Sequence, residues 1–145
     1  MRAVYRWWAA IVFLAVVVQV GFAGYGAFYV AHKVDKGVVN EDKFSDGFGL
    51  HAGFGYLVVL GGLVLLLIAL AGRVGKRRIL QTLGLFGLLI AQVLLAWIGF
   101  GVPAVGALHP INALAIFAFA GYLVSTEWRM KKAAAPVAEP PATGS

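Results

Sequence analysis

Four apolar runs, at about residues 7–31, 48–72, 79–101 and 109–126, divide the chain, and polar or basic segments separate most of them. A helix needs about 20 apolar residues to cross a hydrocarbon core, so each run predicts a membrane-spanning helix with latitude for tilt. The first run carries no charge, and Gln19 is its only strongly polar side chain. Arg2 and Arg6 ahead of it resemble the start of a signal peptide, but the run exceeds the usual length of a cleaved apolar region. The pattern predicts an all-α membrane protein: a bundle of four transmembrane helices within residues 1–132.

The intervening segments complete this expectation. Residues 32–47 are polar and of mixed sign, which predicts a loop, with Asn40-Glu41-Asp42 capping a short surface helix inside it. Residues 102–108 form a short uncharged connection containing Pro103, and Pro110 is placed at the first position of the fourth helix. Residues 133–145 are rich in alanine and proline, cannot bury a core and are predicted to be disordered.

Composition agrees with the membrane reading. Apolar residues make up 61% of the chain and charged residues 12%, against roughly half and a quarter in soluble globular proteins. With no cysteine, the chain has no disulfide, thiolate ligand or covalent c-type haem attachment. The net charge of +6 lies in segments flanking the apolar runs, not on one basic-aromatic surface, so nucleic acid is not an expected partner.

Those flanks set the expected orientation. Two basic residues precede the first run, four lie between the second and third, and three follow the fourth. The first loop has three, offset by four acids, and the third has none. The positive-inside rule then places both termini in the cytoplasm. Trp7, Trp8 and Trp128 fall where an inner aromatic belt is expected.

An internal repeat narrows the candidate chemistry. Gln19-Val20-Gly21-Phe22-Ala23-Gly24-Tyr25-Gly26 and Gln92-Val93-Leu94-Leu95-Ala96-Trp97-Ile98-Gly99 both read Q-V-x-x-A-x-x-G. Each is followed, after a connection, by a Leu-His pair that opens the next run: Leu50-His51 and Leu108-His109. The chain therefore reads as two similar helical hairpins, an arrangement that often places a site where the halves meet. His51 and His109 fall at matching positions near the outer face, and His32 lies on that side outside the repeat.

Neutral imidazole is a common ligand of haem iron, zinc and copper. Two imidazoles from facing helices can fill both axial positions of a haem, which suits electron transfer. His51 and His109 are thus candidate ligands of haem b, with Gln19 and Gln92 lining the site. Gly26, Gly55 and Gly99 would give clearance to the macrocycle. Phe48, Phe54, Trp97 and Phe100 are candidate packing partners, and Lys33, Lys36, Lys43 or His32 candidate partners of the propionates.

This order of elements resembles one half of a haem A synthase over roughly residues 10–126. It runs from a helix with Gln and Gly, through an acidic loop, to a helix opening with His, and then repeats. The resemblance implies axial-ligand roles for His51 and His109. A full-length synthase normally has two such bundles, and its outer loop sets a catalytic glutamate a few residues before the histidine. Here Asp46 precedes His51 by five residues and Glu41 lies further off, so haem binding carries over and catalysis does not. Leu108-His109-Pro110-Ile111-Asn112-Ala113 also resembles small four-span membrane proteins of actinobacteria, which the Ala/Pro-rich tail suits; that resemblance implies a multi-pass protein of the plasma (inner) membrane of a bacterium.

Two other readings stand beside haem. In one, polar side chains and glycines only hold helices together, and the protein is an accessory or structural subunit without a cofactor. In the other, His32, His51, His109 and Asp46 converge on a divalent metal at the outer face. The expected surroundings are the lipid bilayer, with quinone or a larger membrane complex as candidate partners.

Overall fold

The computed structural model describes residues 1–34, 36–37 and 40–133. Among them, five helices form: α1 (Arg2–Val34), α2 (Glu41–Ala71), α3 (Lys76–Gly101), the single-turn α4 (Pro103–Gly106) and α5 (Leu108–Ala133). α1, α2, α3 and the α4–α5 stretch give four segments long and apolar enough to cross a membrane. The expected tail falls at residues 134–145, outside the described residues, apart from Ala133 at the end of α5.

The helices outrun the apolar runs, and this corrects the predicted loop at 32–47. His32, Lys33 and Val34 finish α1, and α2 begins at Glu41. Asn40 caps α2 itself: its Oδ1 accepts the Lys43 N–H at 3.0 Å, and Glu41 and Asp42 occupy the first turn, where negative charge suits the helix dipole. Among the described residues there is accordingly no separate surface helix; residues 41–47 are the first turns of α2. Basic flanks likewise continue α3 and α5, since lysine and arginine are good helix formers. In the 102–108 connection Pro103 starts α4 at a position where its missing N–H costs nothing. α5 starts at Leu108, making Pro110 its third residue, still within the turn that has no N–H partners.

Around the bundle the order is α1, α2, α3, α5, each packed on its two neighbours, with the short α4 against α3 and α5. Neighbours run antiparallel, so α2 and α5 are parallel and lie on a diagonal. Burial follows the three- and four-residue spacing of a helical seam: Tyr5, Ala9, Val12 and Val16 on α1, then Ile116, Ala120, Leu123 and Glu127 on α5. Large apolar side chains such as Phe28 and Leu114 face outward, as a lipid-solvated bundle requires.

The buried core is confined to one half of the bundle. It rises from Tyr5, Thr82 and Val74 to Val16, Val58, Leu89 and Ile116. Beyond that level only Gly26 and Gly47 are buried among the described residues. The other half holds the histidines.

Candidate functional site

Gln19 lies three residues beyond Val16, so its carbonyl and amide stand about one turn above the top of the core. Across the α1–α2 seam it meets His51 twice. His51 Nδ1 lies 3.2 Å from the Gln19 main-chain oxygen, and Gln19 Nε2 donates to the His51 carbonyl at 2.7 Å. The second hairpin repeats the first of these bonds across the α3–α5 seam. There His109 Nδ1 lies 2.9 Å from the Gln92 main-chain oxygen.

These bonds fix the tautomer. A carbonyl oxygen can only accept, so each Nδ1 carries the proton and the lone pair lies on Nε2 in the neutral ring. Holding the far ring nitrogen by a carbonyl is how proteins orient metal-ligating histidines. The two rings meet edge-on across the α2–α5 diagonal, with centroids 6.1 Å apart and planes inclined at 69°. Two imidazoles on opposite sides of one ion, each nitrogen about 2 Å from it, would have centroids about 6 Å apart.

Asn112, one turn beyond His109, is a polar partner that the sequence reading left out of the site. Its Nδ2 donates to Gln92 Oε1 at 2.7 Å and to the Leu88 carbonyl at 3.0 Å. Its place three residues after the histidine was the available signal. The equivalent residue after His51 is Phe54, which packs edge-on against Phe22. Gln19 Oε1 is buried and has no hydrogen-bond partner among the described residues.

The three glycines of the candidate site meet protein atoms. A Cβ on Gly55 would lie 2.9 Å from Gln19 Nε2, one on Gly26 would meet the Phe48 ring at 2.8 Å, and one on Gly99 would meet the Gly106 Cα at 2.6 Å. Each lets a helix, a side chain or the α4 turn approach closely; none of the three faces an open slot. Among the aromatic candidates, Phe48 stands edge-on to His51 at 6.3 Å and stacks on Phe44, whereas Trp97 and Phe100 are mostly exposed.

His32 is exposed at the end of α1, and Asp46 takes hydrogen bonds from Lys43 and Tyr29. Among the described residues no three His, Asp or Glu side chains gather as a metal site. His32, His51, His109 and Asp46 are therefore not brought together as one ligand set. Lys33 lies over the Tyr29 ring, so it and Lys43 are engaged locally.

A family model matches residues 19–99, more than half of the chain. The chain belongs to DUF6220, a family of unknown function. The DUF6220 match opens on Gln19, takes in His51 and Gln92, and closes on Gly99, before His109. No curated protein and no solved structure matches the chain.

Proposed function

We propose that this DUF6220 chain is a membrane haem-b-binding, cytochrome-like protein with His51 and His109 as the two axial ligands, serving electron transfer alone or within a larger complex. One observation carries the reading: two imidazoles, each with Nδ1 tied to a glutamine carbonyl, stand with centroids 6.1 Å apart across the bundle. The donor set suits haem better than a bare ion. A structural zinc takes four protein ligands, whereas a porphyrin supplies four of iron's positions and asks the protein for two. The site also stands where the buried core has ended, and both rings keep partial exposure.

Haem would supply a one-electron iron couple. The chain's part is to present two Nε2 lone pairs, to fix their tautomer through the Gln19 and Gln92 carbonyls, and to surround them with apolar helix. The likeness to half of a haem A synthase points the same way. With the basic flanks on the cytoplasmic side, both termini lie in the cytoplasm of a bacterium and the histidines near the outer face of its plasma membrane.

The test is an absorption spectrum of full-length protein purified in detergent after haem supply, oxidised and then reduced. A Soret band that sharpens on reduction, and is lost when both histidines become alanine, is the expected result. A colourless wild-type sample ends the haem reading. It would favour a helix-packing subunit without cofactor, the second reading, to which the protein-filled notches at Gly26, Gly55 and Gly99 lend support.

A further inference from the structure

We infer that the cytoplasmic end of the α1–α5 seam is a binding site for the phosphate headgroup of an anionic phospholipid, built on Arg6, Lys131 and the Trp128 ring they share. The site lies at the opposite end of the bundle from the histidines and does not depend on the haem reading.

Charge at this end is one-sided. The basic flanks bring nine lysines and arginines to it, against a single carboxylate, Glu127, among the described residues. Glu127 is buried and spent on Arg78, whose guanidinium also takes Met130 Sδ and the Val74 carbonyl. That leaves Arg6 and Lys131 without a carboxylate partner among the described residues. Both stand instead on one indole: the Arg6 guanidinium carbon lies 5.0 Å from the Trp128 ring centre and the Lys131 ammonium 5.2 Å. Each cation is attracted by the ring and repelled by the other. An anion shared between them offsets the repulsion and keeps the attraction.

The donors match a phosphate. A guanidinium grips a phosphate side-on through two parallel N–H bonds. Arg6 Nε, one nitrogen of such an edge, is buried and has no hydrogen-bond partner among the described residues. An unmade buried donor is costly, which favours an acceptor beside it. The Arg6 side chain as a whole is half-buried and Lys131 is exposed, so a small rotation of Arg6 brings both to one ligand.

The surroundings select a lipid over a free ion. Trp7 stands edge-on to Trp128 at 5.1 Å and is mostly exposed. Two indoles side by side at the inner interface mark the headgroup level, where lipid phosphates lie. The exposed face of Trp7 offers apolar contact to a glycerol backbone and the first chain methylenes, which inorganic phosphate lacks. A choline headgroup brings its own cation against Arg6 and Lys131, so the net charge of the lipid matters.

The test follows the melting temperature of full-length protein in neutral detergent at low ionic strength as phosphatidylglycerol is titrated in. We expect a saturable rise, little rise with phosphatidylcholine, and none with inorganic phosphate at matched ionic strength. Arg6→Gln and Lys131→Gln should each need about fivefold more phosphatidylglycerol for half of the effect, the loss of one cation beside an anionic headgroup. Lys131 is exposed at the end of α5, so its variant keeps the fold whatever Arg6→Gln does. Arg73→Gln removes the same charge on the same side of the membrane, just past the end of the diagonal helix α2, and should change the titration less than about twofold. Equal rises with the two lipids overturn the inference. So does an unaltered titration in Lys131→Gln, or a loss in Arg73→Gln as large, which would mean a response to net charge without a site. Inorganic phosphate matching the lipid would make the ligand a free anion and overturns it too. None of these outcomes moves the Soret band on which the haem reading stands.

Discussion

Asn112 reaches Gln92 Oε1 at 2.7 Å with the same amide nitrogen that binds the Leu88 carbonyl at 3.0 Å. This one side chain joins α5 to two successive turns of α3 just above the buried core. Asn112→Ala removes both bonds and should lower stability by about 1 kcal/mol, the scale of interhelical hydrogen bonds in membranes. Asn112→Leu should not restore it, because the Gln92 oxygen would still lack a donor. Thermal unfolding in a fixed detergent reads the difference.

Glycine substitutions separate packing notches from lipid-facing positions. At Gly99 a methyl group would lie 2.6 Å from the Gly106 Cα, and backbone cannot move aside as a side chain can. Gly99→Ala is expected to lower the melting temperature and loosen the α3–α4 turn. At Gly101 the same methyl meets nothing within 4 Å, so Gly101→Ala should be neutral or slightly stabilising through helix propensity.

Gly55→Ala tests the link between α1 and α2. Its methyl would stand 2.9 Å from Gln19 Nε2 and push the amide off the His51 carbonyl. A loss of about 1 kcal/mol is expected, while Gly53→Ala, facing open space two residues away, should cost nothing. Slower exchange of the Gly53 variant with a faster-exchanging Gly55 variant, by hydrogen exchange over α2, would show this.

Much of the fold was legible because lipid forces backbone groups to be satisfied internally, leaving long apolar helices as the solution. The repeat also pointed to Gln19, His51, Gln92 and His109 as residues that meet. It could not show how they meet. Gln19 and Gln92 hold the imidazoles through main-chain oxygens, which every residue possesses, so side-chain identity gave no sign of that role. Asn112 lay inside the motif around His109, but its two partners sit on another helix. The early start of α2 was hidden by charge: residues 41–47 look like a loop by polarity, yet they are capped by Asn40 and continue a helix stabilised further on.

At the opposite end Arg78 and Glu127 pair side chain to side chain, and Glu127 is buried. Arg78 also reaches Met130 Sδ, so one guanidinium holds two side chains of α5 to α3. Glu127→Gln leaves that cation without its carboxylate and should destabilise by about 1–3 kcal/mol. If the pair is what matters, Arg78→Gln combined with Glu127→Gln should cost less than the two single changes added together.

One turn further into the bundle, Tyr5 and Thr82 make a buried side-chain hydrogen bond at 2.7 Å, and its direction can be worked out. The Thr82 hydroxyl has one proton, and it goes to the Arg78 carbonyl at 2.8 Å. Tyr5 must therefore donate to Thr82. It follows that the two single variants are unequal. Thr82→Val strips the acceptor from a fully buried phenol and leaves its O–H unpaired, which should cost about 1–3 kcal/mol. Tyr5→Phe removes only the donor, and Thr82 keeps its bond to the helix, so about 1 kcal/mol or less is expected. Combining the two changes leaves no unpaired hydroxyl, and the double variant should be more stable than Thr82→Val alone. Unfolding midpoints of the four proteins test the order; a Tyr5→Phe variant weaker than Thr82→Val would mean that the proton runs the other way.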